Sequence, residues 1–316
     1  MTSVYHPYFR GKQFELLAIR ENVELLSRSN FCPIIEPVNA SLAGLGKAIE
    51  TLAAHHVPYV LIANPKCASE VVATPEAFVQ IVQKASGAEA TAQIGILMNE
   101  TSDLEEFVRI SSLANRPVAI LHDGFLDGKA LAEAAGRANV SANIFIESKC
   151  SKLYRRHFPK TMRVLVRDGF RKRPKNSDYP PFEEFSDLHL LYREEEQMDG
   201  FGDYLIAGKE YSEGGGPAWA VAIHVTVIDP DAEDRMMIHH FVSDSNSTST
   251  NPAGKFMEAL KKLVKQVKTD DSKILRTAAI SEFLALHESD HFPGLGYVKK
   301  LSMAHHLETM SEFLGR

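Results

Sequence analysis

Cysteine is scarce in this sequence: Cys32, Cys67 and Cys150 are the only three in 316 residues, far apart and without a CxxC pair. That spacing excludes a disulfide framework and a thiolate zinc site, and it fits a reducing compartment. Each thiol is expected as a small buried hydrophobe near a strand. Long apolar runs are also lacking, since none approaches the roughly 20 residues that cross a bilayer. The opening residues Met1–Pro7 have neither the basic nor the apolar region of a leader. The expected location is the cytoplasm, with no membrane partner. No GxGxxG turn and no P-loop glycine–lysine motif occurs, which removes the usual marks of dinucleotide and P-loop folds.

What is present is a repeating beat. Apolar runs fall at Val4–Phe9, Phe31–Ile35, Tyr59–Ala63, Ile94–Met98, Val118–Leu121, Asn143–Ile146, Arg163–Val166 and Asp203–Ala207. Several are continuous rather than alternating, as strands buried on both faces must be. Amphipathic stretches separate them. Phe14–Leu26 keeps one apolar face, and Thr74-Pro75-Glu76 and Asp103 open two more helices with capping chemistry. Eight such beats predict an α/β protein, a (β/α)8 TIM-type barrel over residues 1–212. The rival is an open doubly wound sheet, which normally has fewer beats and a glycine-rich phosphate turn. Residues 213–316 then predict a β-hairpin (Ala218–Asp229 with Met236–Val242) and a helical C-terminal extension packed on the barrel.

Charge is unevenly distributed. The whole chain carries −6, yet Lys149–Lys175 holds eleven basic residues against the single acid Asp168. A local excess of this kind can hold an anion, or can be a solvated basic helix and loop.

Barrel enzymes bind their ligands at the C-terminal ends of the strands. The polar residues just past the runs are Arg10, Lys12, Glu36, Asn64, Asn99, Glu100, His122, Asp123, Glu147, Lys149, Arg167, Asp168 and Lys209, with Asp203 in the last run. Glu36, Glu100 and Glu147 are candidate ligands for Mg²⁺ or Mn²⁺, which favour oxygen donors. Arg10, Lys12, Lys149 and Arg167 could hold phosphate oxygens. Glu36, Asp123 and His224 (or His122) are candidates for acid–base work. Asn64, Asp168 and Asp203 complete the expected mouth. Together they suggest a metal-assisted phosphoester hydrolase acting on a nucleotide, nucleic acid or other phosphate-containing ligand. For any one residue, a solvated strand end is the plainer reading. The alternative for the protein is a non-catalytic binding or adaptor protein that works with a partner protein.

Two local motifs compete with that picture. His287-Glu288-Ser289-Asp290-His291 is a literal HExxH, which would bind zinc if both histidines shared a helical face and a third ligand such as Glu308 joined them. Phe292-Pro293-Gly294 should end that helix. The segment Phe292–Lys300 could form a phosphate-contacting hairpin between helices, or an ordinary Pro-Gly turn. His305 and His306 on the last helix default to core or surface roles.

The segments Tyr5–Ala18, Pro33–Val38, Ile62–Pro65, Phe201–Tyr204 and Gly214–His224 resemble the family named after the bacteriophage T4 beta protein, in particular its bacterial relatives. The resemblance runs along most of the chain. It implies a setting in phage–host conflict, beside a partner protein in some members, and carries no established activity or catalytic set.

Overall fold

Tyr59-Val60-Leu61-Ile62 has no polar face, and each of its side chains is fully buried. It forms one strand of the computed structural model, which describes residues 3–67, 73–86, 92–212, 216 and 218–315. Seven further strands join it: β1 (Tyr8–Arg10), β2 (Ile34–Glu36), β4 (Ala92–Asn99), β5 (Val118–Asp123), β6 (Val140–Ile146), β7 (Met162–Arg167) and β9 (Gly200–Asp203), with Tyr59–Ile62 as β3. All pair in parallel, in the order β1-β2-β3-β4-β5-β6-β7-β9. The sheet closes on itself through residues 4–6. His6 N–H donates to the Phe201 carbonyl at 2.8 Å, and Phe201 N–H donates to the Val4 carbonyl at 2.9 Å. This is the (β/α)8-type barrel that the sequence predicts.

Between the strands run helices α1 (Gln13–Glu21), α2 (Val23–Arg28), α3 (Ala43–Ala54), α4 (Pro75–Ser86), α5 (Leu104–Ala114), α6 (Gly128–Ala135) and α7 (Lys152–Arg155). The expected starts at Pro75 and after Asp103 are both found. Asp103 caps α5 by accepting the Glu106 N–H at 2.7 Å, which satisfies one of the orphan donors of the first turn.

The eighth strand is displaced from its expected place. Asp203–Ala207 was the predicted run, but the strand is Gly200-Phe201-Gly202-Asp203, and Leu205–Ala207 is a 3-10 turn. The two glycines hide the strand from a reading of hydrophobic runs, and the seam requires them. A Cβ on Gly202 would stand 2.1 Å from the His6 carbonyl oxygen, and one on Gly200 would stand 2.7 Å from that of Val4.

The division of the chain also differs from a single cut after residue 212. One compact unit comprises residues 1–167 and 191–204; the other comprises 168–190 and 205–316. The second unit contains the predicted hairpin, β10 (Ala222–Asp229) and β11 (Arg235–Val242), and a strand that the sequence does not announce, β8 (Phe182–Ser186); a short helix, α8 (Leu188–Leu191), follows β8. These form their own antiparallel sheet in the order β10-β11-β8. Helices α9 (Pro252–Val267), α10 (Ala278–Glu288) and α11 (Leu295–Leu314) share its core, built on Val225, Phe256, Leu260, Phe283 and Leu301. Among the described residues, no helix is long and apolar enough to cross a membrane.

Candidate functional site

Alternation along the barrel strands decides which strand-end residues face inward. The interior cluster contains Tyr8, Ile34, Ile62, Leu97 and Leu121. Side chains two residues further on share that side. These are Arg10, Glu36, Asn64, Asn99 and Asp123, all from the expected list. Asn64 serves the fold: its side-chain amide donates to the Leu97 carbonyl at 3.0 Å, and its oxygen accepts the Leu97 N–H at 2.8 Å. It continues the β3–β4 ladder where the backbone stops pairing.

Arg10 and Glu36 form a buried charged pair at this end. Glu36 is 3% exposed and Arg10 8%. The Arg10 Nε lies 3.7 Å from a Glu36 carboxylate oxygen, and its guanidinium is 5.6 Å from the centre of the Tyr204 ring. Tyr8 Oη donates to Glu36 at 2.7 Å, and Lys66 N–H donates to the other carboxylate oxygen at 3.2 Å. Burial first, then the Glu36 charge, pushes the Tyr8 phenol well above its ordinary range. The same two causes, in the same order, raise the half-buried Cys67 thiol. Glu15, buried in the first turn of α1, accepts the Arg10 N–H and fixes the backbone of the β1–α1 loop. Lys12 is half-buried at the N-cap position of that helix.

The other expected charges form two further groups. Lys149 pairs with Glu100 at 2.9 Å and also feels the Asp123 carboxylate. Arg167 grips Glu147 in a two-pronged pair at 2.7 and 2.8 Å. Glu36, Glu100 and Glu147 therefore stand in three separate ion pairs rather than around one point. Among the described residues, no group of three or more His, Cys, Asp or Glu is placed to hold a metal ion. Asp203 accepts from Tyr5 Oη at 2.9 Å, a buried tie across the seam.

His122 is structural. It is fully buried, with Nδ1 2.9 Å from Tyr154 Oη and Nε2 3.0 Å from Asn143 Oδ1, and its ring stacks on Phe145. Burial pushes it down to about 3. Cys32 and Cys150 are buried, as expected of them, and burial raises them to about 12 and about 11.

The basic run is largely compensated by acids from elsewhere in the chain. In the barrel unit, Lys152 and Arg155 meet Glu196. In the second unit, Arg171 and Arg173 meet Glu183, and Lys172 meets Glu210. Asp168 caps backbone there, accepting from Phe170 and Lys209 N–H groups.

His224 belongs to the second unit, on β10. Its Nδ1 is 2.7 Å from Nδ1 of His240 on β11, and His240 Nε2 is 3.1 Å from Glu183 of β8. Neither His240 nor Glu183 stands out in the sequence as a functional residue. Hairpin geometry could have found the first, because 224 and 240 are equidistant from the turn between Asp229 and Arg235. Glu183 has no such signal, since β8 is remote from both.

The HExxH motif does not make a zinc site. Helix α10 ends at Glu288, so His291 lies beyond it, exposed, after Asp290 with φ +50°. Glu308 is at the opposite end of α10, accepting the Ala278 and Ala279 N–H groups. The residues from Phe292 to Gly294 are the turn into α11. His305 and His306 are core: His305 Nε2 donates to the Thr226 carbonyl at 2.8 Å, and His306 Nδ1 is 3.1 Å from the Thr226 hydroxyl. No protein-family model matches the sequence, and no curated protein matches it.

Proposed function

We propose that this chain binds a small phosphate-bearing molecule at the C-terminal end of its barrel and moves a proton on it. Arg10 takes the anion, with Lys12 on the same loop, and Glu36 exchanges the proton with Tyr8 donating to it. The observation that supports this reading is the buried Arg10–Glu36 pair at the strand ends. Desolvating two charges costs several kcal/mol per ion, and apolar residues of similar volume would stabilise a barrel as well or better. A charge pair kept at the end where barrels do their chemistry therefore points to use. The three separate carboxylate pairs mean that the reading does not rest on a shared Mg²⁺ or Mn²⁺.

The test is a panel of nucleotides, sugar phosphates and inorganic phosphate, read by thermal shift and by turnover, with Mg²⁺ or Mn²⁺ and with chelator. Arg10→Lys keeps the charge but loses the planar fork, so binding should weaken at least tenfold. Glu36→Gln should bind within threefold of wild type and lose turnover by about 100-fold or more. If no phosphate compound binds the wild-type protein, the reading fails. The adaptor alternative, with a partner protein in phage–host conflict, then takes its place.

A further inference from the structure

We propose a second, separate site in the unit formed by residues 168–190 and 205–316: a cavity that binds a hydroxyl-bearing oxyanion, with His224 accepting a hydrogen bond from the hydroxyl. The cavity measures about 250 Å³, and its lining includes Phe170, Ile206 and Val221 beside Lys172, His224 and Lys299.

The direction of the hydrogen bonds determines what His224 offers. A carboxylate only accepts, so His240 Nε2 carries a proton and donates it to Glu183. With His240 neutral, its Nδ1 is then a bare acceptor. The 2.7 Å contact between the two Nδ1 atoms requires a proton, and that proton must belong to His224. His224 is thereby fixed as the Nδ1–H tautomer, with a lone pair on Nε2. That atom makes no hydrogen bond to a described residue, and it is not among the buried polar atoms that lack a partner. The ring edge bearing the lone pair is open to the cavity.

Both imidazoles are held neutral. Burial, then the neighbouring His240 and Lys299, depresses His224; burial outweighs the Glu183 attraction at His240. The groups facing the pair are Glu183 on β8, Tyr179, Lys299 on α11, and Arg173, which grips the far oxygen of Glu183 at 2.6 Å. A purely structural pair would turn both ring edges into the protein. Here one end is anchored by a carboxylate and the other faces a lined space, the arrangement that orients a general base.

The lining selects the ligand. An acceptor nitrogen beside two ammonium groups, of which Lys172 also meets Glu210, suits a molecule with an O–H donor and a negative charge, carried on an apolar body. A phosphate monoester supplies both from one group in its monoanionic form, near pH 6. A hydroxycarboxylate supplies them from two groups. In either case the hydroxyl keeps its proton and donates a hydrogen bond to Nε2.

The experiment uses the full chain at pH 6 and two matched pairs of probes: phenyl phosphate against phenyl sulfate, and mandelate against phenylacetate. In each pair only the first has the required hydroxyl. Calorimetry should show at least tenfold tighter binding of the first member, and the tighter of phenyl phosphate and mandelate identifies the ligand class. Proton signals of the His224 ring should move on binding. His224→Gln and Lys299→Gln should each lose the preference or the affinity tenfold, while Gly46→Ala in helix α3 leaves both unchanged. No saturable binding by either hydroxyl-bearing probe, or equal binding within both pairs, overturns the proposal. A preference that survives in a folded His224→Gln variant overturns it equally.

Discussion

Beyond the His224–His240 pair, burial holds other enclosed imidazoles neutral: it brings His6 to about 4, His122 to about 3 and His305 to about 4. In the unfolded chain each takes up a proton near 6.5. The unfolded state therefore binds more protons below that value. The stability held by these groups is complete above about pH 6.5 and is lost as the pH falls toward 4. At pH 5 each contributes a loss of about 2 kcal/mol. Urea unfolding followed from pH 7 to 4.5 should show the midpoint dropping steeply, with a shallower slope in His122→Gln. A slope unchanged by that substitution would contradict the assignment. Residue chemistry of this kind was only partly legible. His122 follows an apolar run and reads as a strand-end base, because a linear sequence does not reveal which side of a strand meets helices. Arg10 and Glu36 were legible because a charge closing a buried strand needs a reason. Their partners Tyr8, Tyr204 and Cys67 look like ordinary strand and loop residues.

At the scale of elements, the seam between β9 and residues 4–6 leaves no room for a side chain at Gly200 or Gly202. Gly202→Ala places a methyl group against the His6 carbonyl, so the seam must open or shift. A loss of several kcal/mol is expected, as for other forced overpacking of a buried contact. Gly46 is the control. It lies within α3, and a Cβ there meets nothing within 4 Å. Gly46→Ala should stabilise the protein by about 0.5–1 kcal/mol. Thermal denaturation of the two variants should thus move in opposite directions. Seven of the barrel strands could be read from their apolar runs, and the helix starts from capping residues. The eighth was misplaced because the property it needs, the absence of a side chain at the seam, resembles a turn signal. Strand β8 was missed for a related reason: Phe182-Glu183-Glu184-Phe185-Ser186 gains its identity only from pairing with β11.

For the whole molecule, one core cluster of the barrel unit is built on Ile34, Val60 and Leu121, and one of the second unit on Val225, Phe256 and Leu301. The single tryptophan, Trp219, belongs to the second unit. Its fluorescence follows that unit, whereas far-ultraviolet circular dichroism follows both. The two melting curves are expected not to coincide, and Gly202→Ala should shift the dichroism transition more than the fluorescence one. Coincident curves in both proteins would instead indicate a single cooperative transition. At this scale the sequence indicated an eight-beat barrel and an added hairpin with helices. It concealed that residues 168–190 leave the barrel before its last strand, because no composition shift marks either crossing.

That detour sets an order of events during synthesis. Strand β8 emerges from the ribosome some fifty residues ahead of β11, the strand it pairs with. At roughly 5–20 residues per second, the nascent chain carries an unpaired edge for about 3–10 s. Its two glutamates, Glu183 and Glu184, lie in the middle of that strand. Besides holding His240 and Arg235 in the finished fold, they give the waiting segment the charge that discourages premature association with other chains.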